Sequence, residues 1–321
     1  MNDGGPRILI TGAAGNLGGL FARHLAPAGH RLRLMIHRTE LAPDLTRAPN
    51  MEVVRADLGK PEMLTTAVDG VDIVVHFAGV LFAPHPERFL PITNAGWFSN
   101  LVGACLDARV GRIVLISFPH VEGPTTPDHP ATGRLDGKPI SVHARTRLEE
   151  EQLLFARTEG TSTTPVVLRL GAVYGRGILM VEAARWLACR RMLGVWREPT
   201  WFHLLSVPDF LAATTAAALK DGVHGIYHVG DERPVILQEF LDRACDTWGY
   251  ARPRRMPVWM IVLAAGACEW FAALLGTRSP LTRDFVTIGR VSHVGDTSRA
   301  RRDLIPTLVV PTLDDGLAML R

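Results

Sequence analysis

The sequence predicts an α/β fold, a doubly wound parallel sheet carrying a smaller, discontinuous C-terminal lobe. Three observations support this. Short apolar runs bounded by turn residues alternate with stretches of helical periodicity through the first half of the chain. Glycines 12, 15 and 18 stand between the first apolar run and the first helical stretch. After Tyr174 the alternation fades into separate strand-like and helical segments.

Taken in order, Arg7–Thr11 reads as the first strand and 17–28 as a helix ending at Gly29. Segments 32–36 and 51–55 read as the second and third strands, 61–68 as a helix and 72–77 as the fourth strand. A long helix over 94–108 leads to a fifth strand over 112–117. Prolines 119, 124, 127, 130 and 139 mark the stretch that follows as a long loop, of the kind that carries function. Helical periodicity returns over 141–158, and 165–170 is the sixth strand. Beyond it, 181–192 and 237–248 read as helices and 225–229 as a strand. Residues 1–174 therefore form the main domain, with segments near 202–231 returning to it, and 175–321 form most of the second lobe.

The 321 residues are 47% hydrophobic and 21% charged, enough to bury a sizeable core. A net charge of +3 and the absence of any Lys/Arg run exclude a dedicated nucleic-acid binder. Cysteines 105, 189, 245 and 268 are scattered and form no CxxC pair, so neither a metal site nor a disulfide framework is expected. Met1 to Pro6 is short and polar and the first apolar run is brief, so no secretory signal is read and a cytoplasmic protein is expected. Segment 257–275 is almost wholly apolar apart from Glu269. A bilayer span needs about 20 such residues. The glutamate and the small residues favour a buried helix, with peripheral membrane contact as the alternative.

The glycine loop carries the chemistry. Thr11-Gly12-Ala13-Ala14-Gly15-Asn16-Leu17-Gly18 joins a strand to a helix, as in the Rossmann dinucleotide-binding unit. Glycines permit the tight turn and the close approach of backbone to pyrophosphate, whose charge sits at the positive end of the helix. The adenosine ribose is read at the end of the second strand, where NAD sites place Asp or Glu. No acidic residue lies between Gly18 and Glu40; His37 and Arg38 stand there instead, with Arg33 inside the strand. A guanidinium binds a 2′-phosphate that a carboxylate would repel, so NADP is favoured and NAD left open.

Further residues along the chain resemble the extended short-chain dehydrogenases/reductases, the group containing NAD-dependent epimerases, dehydratases and 3-beta-hydroxysteroid dehydrogenases. Residues 11–18 look like the family's TGxxGxxG loop. Asp57-Leu58 resembles the dipeptide that lies against adenine, and His76-Phe77-Ala78-Gly79 the turn after the fourth strand. Asn94, six residues before Asn100, fits the helix whose Asn supports the active site. Arg169 to Gly175, Val207-Pro208-Asp209, Ile226 to Gly230, Asp296 with Ala300 and Leu304, and Pro311-Thr312-Leu313 before Gly316 continue the likeness almost to the end.

The resemblance implies a Tyr-x-x-x-Lys pair on the helix after the long loop and an orienting Ser or Thr after the fifth strand. Here Thr146 to Glu151 fixes the register, and His143 stands at the Tyr position and Arg147 at the Lys position. Tyr174, Tyr227 and Tyr250 are the only tyrosines, and none precedes a Lys by four residues. Ser117 is followed by Phe118, which falls where the orienting hydroxyl belongs.

Three readings follow. His143 acts as the acid/base, its ordinary pKa lying near the working pH, with Arg147 holding the cofactor. Alternatively, hydride transfer proceeds without a dedicated acid, with water, His120 or Tyr174 closing the proton path. In the third reading the chain binds dinucleotide as a silent sensor, assembly factor or scaffold. An oxidoreductase is ranked first, and an epimerase, isomerase or dehydratase on the same fold remains an alternative. Tryptophans 186, 196, 201, 259 and 270 fall in regions expected to roof the nicotinamide, which favours a small apolar carbonyl, alcohol or enone as partner. A homodimer is left open, and no metal is expected.

Overall fold

The computed structural model describes residues 5–46, 49–79, 85–277, 279 and 281–321; the first four residues of the N-terminal reading lie outside them. Six strands, β1 (Arg7–Thr11), β2 (Arg31–Ile36), β3 (Met51–Arg55), β4 (Ile73–His76), β5 (Arg112–Ser117) and β6 (Thr164–Leu170), are joined by a seventh, Gly225–Val229. Their order across the sheet is seventh, β6, β5, β4, β1, β2, β3, and every pairing is parallel. The order reverses between β1 and β4, the crevice where ligands bind in doubly wound sheets.

A parallel sheet buried on both faces needs apolar residues on consecutive positions. Ile8, Leu9 and Ile10 meet that need and are fully buried. On one face, α1 (Asn16–Leu25) and α6 (Val207–Leu219) supply Phe21, Ala22, Phe210 and Ala213 to the core. On the other, α2 (Pro61–Val68) and α3 (Trp97–Asp107) supply Leu64, Ala67, Phe98 and Leu101, and α4 (Val142–Thr158) adds Leu154. The helix expected over 94–108 begins instead with a wide π turn, Pro91–Gly96, before α3.

The second lobe has its own core, in which Tyr174, Ile178, Val181, Leu204, Phe240 and Leu313 pack together. It contains α5 (Leu179–Cys189), α7 (Leu237–Trp248), α8 (Val258–Leu275) and α9 (Arg283–Arg290). Short strand pairs knit it, including Gly194–Trp196 beside Arg254–Met256. Asp209 ties the C-terminal segment down. Its buried carboxylate accepts from Ser206 Oγ and from the backbone N–H groups of Val309 (2.7 Å) and Val310 (3.0 Å).

Helix α8 corrects one expectation. It was expected to be buried, yet only Ala265, Glu269 and Ala272 are. A helix that is apolar all round is normally a core helix, and that rule misjudged a helix whose outer face no described residue covers. Trp186, Trp259 and Trp270 are likewise more than half exposed.

Candidate active site

The loop after β1 is shaped by steric necessity. Gly12 has φ +68°, and a Cβ there would lie 2.9 Å from the backbone nitrogen of Ala78. A Cβ on Gly18 would lie 2.5 Å from the Gly12 carbonyl oxygen. Gly15 caps α1 without a side chain, its N–H donates to Gly12 O (2.8 Å), and no acidic residue stands in the first turn. The helix therefore presents the first-turn N–H groups of Asn16, Leu17 and Gly18 in a cradle that fits a pyrophosphate. Thr11 is buried; its Oγ1 meets His76 Nδ1 at 2.9 Å and accepts from Ala78 N at 3.4 Å, fixing the turn through Phe77, Ala78 and Gly79. Asn16 reaches across to the second lobe, donating to Gly177 O (2.8 Å) and accepting from Leu179 N (3.1 Å).

At the adenosine end, His37 Nε2 lies 3.5 Å from Asp57 Oδ2, and its ring stands edge-on to Trp97. Asp57 also accepts from Gly59 N (2.9 Å), and Leu58 O accepts from Asn100 Nδ2 (3.0 Å). Trp97 escaped the sequence reading; its place at the start of a helix after a proline-containing turn was the available signal. The three arginines nearby differ in availability. Arg33 is buried and spends its guanidinium on Glu52 and on the carbonyls of Thr66, Ala67 and Asp69 around the end of α2. Arg55 pairs with Glu40 and donates to His37 O. Arg38 is exposed and has no carboxylate partner among the described residues.

Ser141 caps α4 by accepting from Ala144 N (3.1 Å), which starts the helix so that His143 and Arg147 fall one turn apart. His143 is nearly buried, and its Nδ1 lies 3.0 Å from Oδ2 of Asp284, in the first turn of α9. The other Asp284 oxygen accepts from Val142 N at 3.3 Å. Thr282 caps α9 by accepting from Phe285 N, which orients that turn. Sequence reasoning did not single out Asp284.

Arg147 does not stand as an open charge. Its Nη1 lies 2.6 Å from Glu150 Oε2, one turn deeper in α4. Its Nη2 reaches Gly79, where a Cβ would come within 3.1 Å. Burial pushes the Glu150 carboxyl up to about 7 against the pull of Arg147. Burial, and secondarily Arg147, holds His76 down at about 3, so its imidazole is neutral. Asn94, in the π turn, donates to Thr146 Oγ1 (3.0 Å) and so braces α4 beside Arg147.

The remaining candidates are placed elsewhere. Ser117 is buried and donates to Glu151 (2.5 Å), which pairs with the fully buried Arg169 (2.6 Å). Arg169 also pairs with Glu122, which meets His228 Nε2 at 3.2 Å. The Ser117 hydroxyl is thereby engaged in a structural charge network. Phe118 packs its ring against His120, whose ring stacks on His293 with centroids 3.4 Å apart. Burial holds both imidazoles low, His293 at about 4, so neither is a proton donor near neutrality. Tyr174 packs in the second-lobe core against Phe240, and burial pushes its phenol well up. No group of three or more metal-ligating side chains occurs among the described residues.

Comparison with known proteins follows this geometry. The model of the family described as NAD dependent epimerase/dehydratase matches residues 8–230. A 2-alkyl-3-oxoalkanoate reductase of Stenotrophomonas maltophilia is 26% identical, over 98% of this chain and 98% of its own. A ceramide reductase of Caulobacter vibrioides is 26% identical over 85% and 80%. A 4-hydroxy-2-methyl-3-oxo-4-farnesyl-3,4-dihydroquinoline-1-oxide ketoreductase of Stigmatella aurantiaca is 26% identical over 93% and 91%. Among solved structures, the Bordetella bronchiseptica enzyme WbmG in complex with NAD shares the fold, with TM-score 0.76 and 20% identity over 99% of this chain and 94% of that one.

Proposed function

Because the chain belongs to the NAD dependent epimerase/dehydratase family, we propose that it is a nicotinamide-dinucleotide-dependent reductase, preferring NADP, that acts on an apolar carbonyl compound and uses His143 where the family uses tyrosine. The observation that carries this reading is the contact between His143 Nδ1 and Asp284 Oδ2 at the start of α4. A carboxylate that receives Nδ1–H fixes the tautomer and ring orientation, and Nε2 is then the nitrogen that would exchange a proton.

The reduced nicotinamide, when bound, supplies the hydride to the carbonyl carbon. His143 would deliver a proton to the carbonyl oxygen and be reprotonated from solvent as the alcohol leaves. Arg147, restrained by Glu150 beside Gly79, would hold the nicotinamide ribose. Arg38, free of any carboxylate among the described residues, would take the 2′-phosphate. Support for an apolar substrate comes from the relatives' names, which share an alkyl, ceramide or farnesyl portion.

The test is consumption of NADPH, followed by nicotinamide fluorescence, against long-chain 3-oxo acids and ketones of graded chain length. The expected result is turnover whose KM falls as the chain lengthens. Tight NADPH binding with no turnover across the series would instead establish a silent dinucleotide binder.

A further inference from the structure

The outer face of α8 is the least expected surface of this chain. Trp259 and Trp270 are each 62% exposed, Leu263 64%, Leu274 68% and Leu275 70%, and Phe271 joins them. Every exposed residue of α8 is apolar. The helix's one charge, Glu269, is turned inward and neutralised by Arg283, whose Nε and backbone N–H donate to it at 2.7 and 2.8 Å. An uncharged, contiguous face of this size is uncommon on a soluble surface and marks an interaction site.

Charge decides between occupants. Arg254 lies on the strand before α8, paired with Gly194–Trp196, against which α8 packs. Arg190, Arg191 and Arg197 flank that same strand in sequence. Arg191, Arg197 and Arg254 are exposed, and no carboxylate pairs with them among the described residues. A second copy packing through α8 would bring two such basic fringes together, at a cost in repulsion. An anionic lipid headgroup layer would answer them, while the acyl boundary receives the apolar face and the interface receives the tryptophans.

We propose that α8 lies in the plane of an anionic membrane surface and seats the protein there as a peripheral enzyme. The position has a functional sense that rests on the apolar-substrate reading above. Arg283, which holds Glu269 of α8, is followed directly by Asp284, which holds His143. The helix that enters the lipid boundary is thus pinned to the turn that orients the proton donor, and a lipid-dissolved carbonyl compound would reach the site from the membrane side.

The experiment is vesicle sedimentation of the full chain. Vesicles of equal parts phosphatidylcholine and phosphatidylglycerol are compared with phosphatidylcholine alone, at low and high salt. The wild type is expected to sediment with the mixed vesicles, more weakly with the neutral ones, and less as salt rises. The double substitution Leu263→Glu/Leu274→Glu, at two exposed positions, is expected to lower the vesicle partition coefficient by about tenfold or more. Its turnover of a short, water-soluble ketone should be unchanged, which keeps this test separate from that of the reductase reading. No sedimentation of the wild type with the mixed vesicles, or undiminished binding by the double variant, overturns the proposal. So does a lipid-free dimer, seen by light scattering, that the two substitutions dissociate.

Discussion

Asp284 and His143 stand 141 positions apart in the chain, yet their side chains meet at 3.0 Å, one from α9 and one from α4. Removing a general acid costs about 10²–10⁴-fold in rate. If His143 is the proton donor proposed above, His143→Ala should lower kcat by that order while leaving NADPH affinity within about twofold. Asp284→Asn should lower kcat by about tenfold and displace the pH–rate profile, whereas Asp284→Glu should recover part of the rate. An unaltered pH profile in Asp284→Asn would reduce the carboxylate to a packing role.

Arg38 tests the cofactor assignment. It is the arginine at the end of β2 without a carboxylate partner among the described residues, while Arg33 and Arg55 are occupied. Arg38→Ala should weaken NADPH by about 1.4 kcal/mol, or tenfold, and NADH hardly at all. Fluorescence titration with both dinucleotides gives the comparison; equal losses for the two would remove Arg38 from phosphate recognition.

Gly18 tests the cradle. A methyl group there would sit 2.5 Å from Gly12 O, against backbone that cannot yield cheaply. Gly18→Ala should destabilise the fold by about 1–3 kcal/mol in urea denaturation and weaken both dinucleotides together. Retained affinity would mean that the loop re-forms around the added carbon.

Asp231 sets a pH dependence of stability. It is fully buried, and neither carboxylate oxygen has a hydrogen-bond partner among the described residues. Burial, with Asp209 and Asp315 adding to it and Arg301 opposing, pushes its carboxyl up to about 8 from an ordinary 3.8. Between those values the folded chain holds a proton that the unfolded chain has released, so stability falls as pH rises from about 4 to about 8. The slope should be on the order of 1 kcal/mol per pH unit. Asp231→Asn should flatten it, raising the denaturation midpoint at alkaline pH with little change under mildly acid conditions. A midpoint that falls at alkaline pH would show that the carboxylate is instead stabilised when charged.

The main sheet was legible because its central strands, β1, β4 and β5, are buried on both faces and written as apolar runs between turn residues, and Gly225–Val229 falls where its apolar run does. The glycine loop was legible because its spacing is imposed by contacts within a few residues, together with the turn at Ala78. Asp284 was not, because its partner lies in another lobe and no local pattern announces a carboxylate aimed at a distant imidazole. Ser117 was misleading for a related reason. Its hydroxyl is claimed by a network whose members, Glu122, Glu151, Arg169 and His228, come from four parts of the chain. The exposure of α8 was hidden because composition reports how apolar a helix is, not which neighbours reach it.

The family model matches residues 8–230, whereas Asp284 lies beyond the matched segment. The contact between His143 and Asp284 therefore joins the matched segment to a residue outside it. A chimera that joined residues 1–230 to the C-terminal region of another member would keep the cradle and His143 and lose the carboxylate that steers it. Recombination between relatives, natural or engineered, would in this chain separate the glycine-loop cradle and His143 from Asp284 at a single junction.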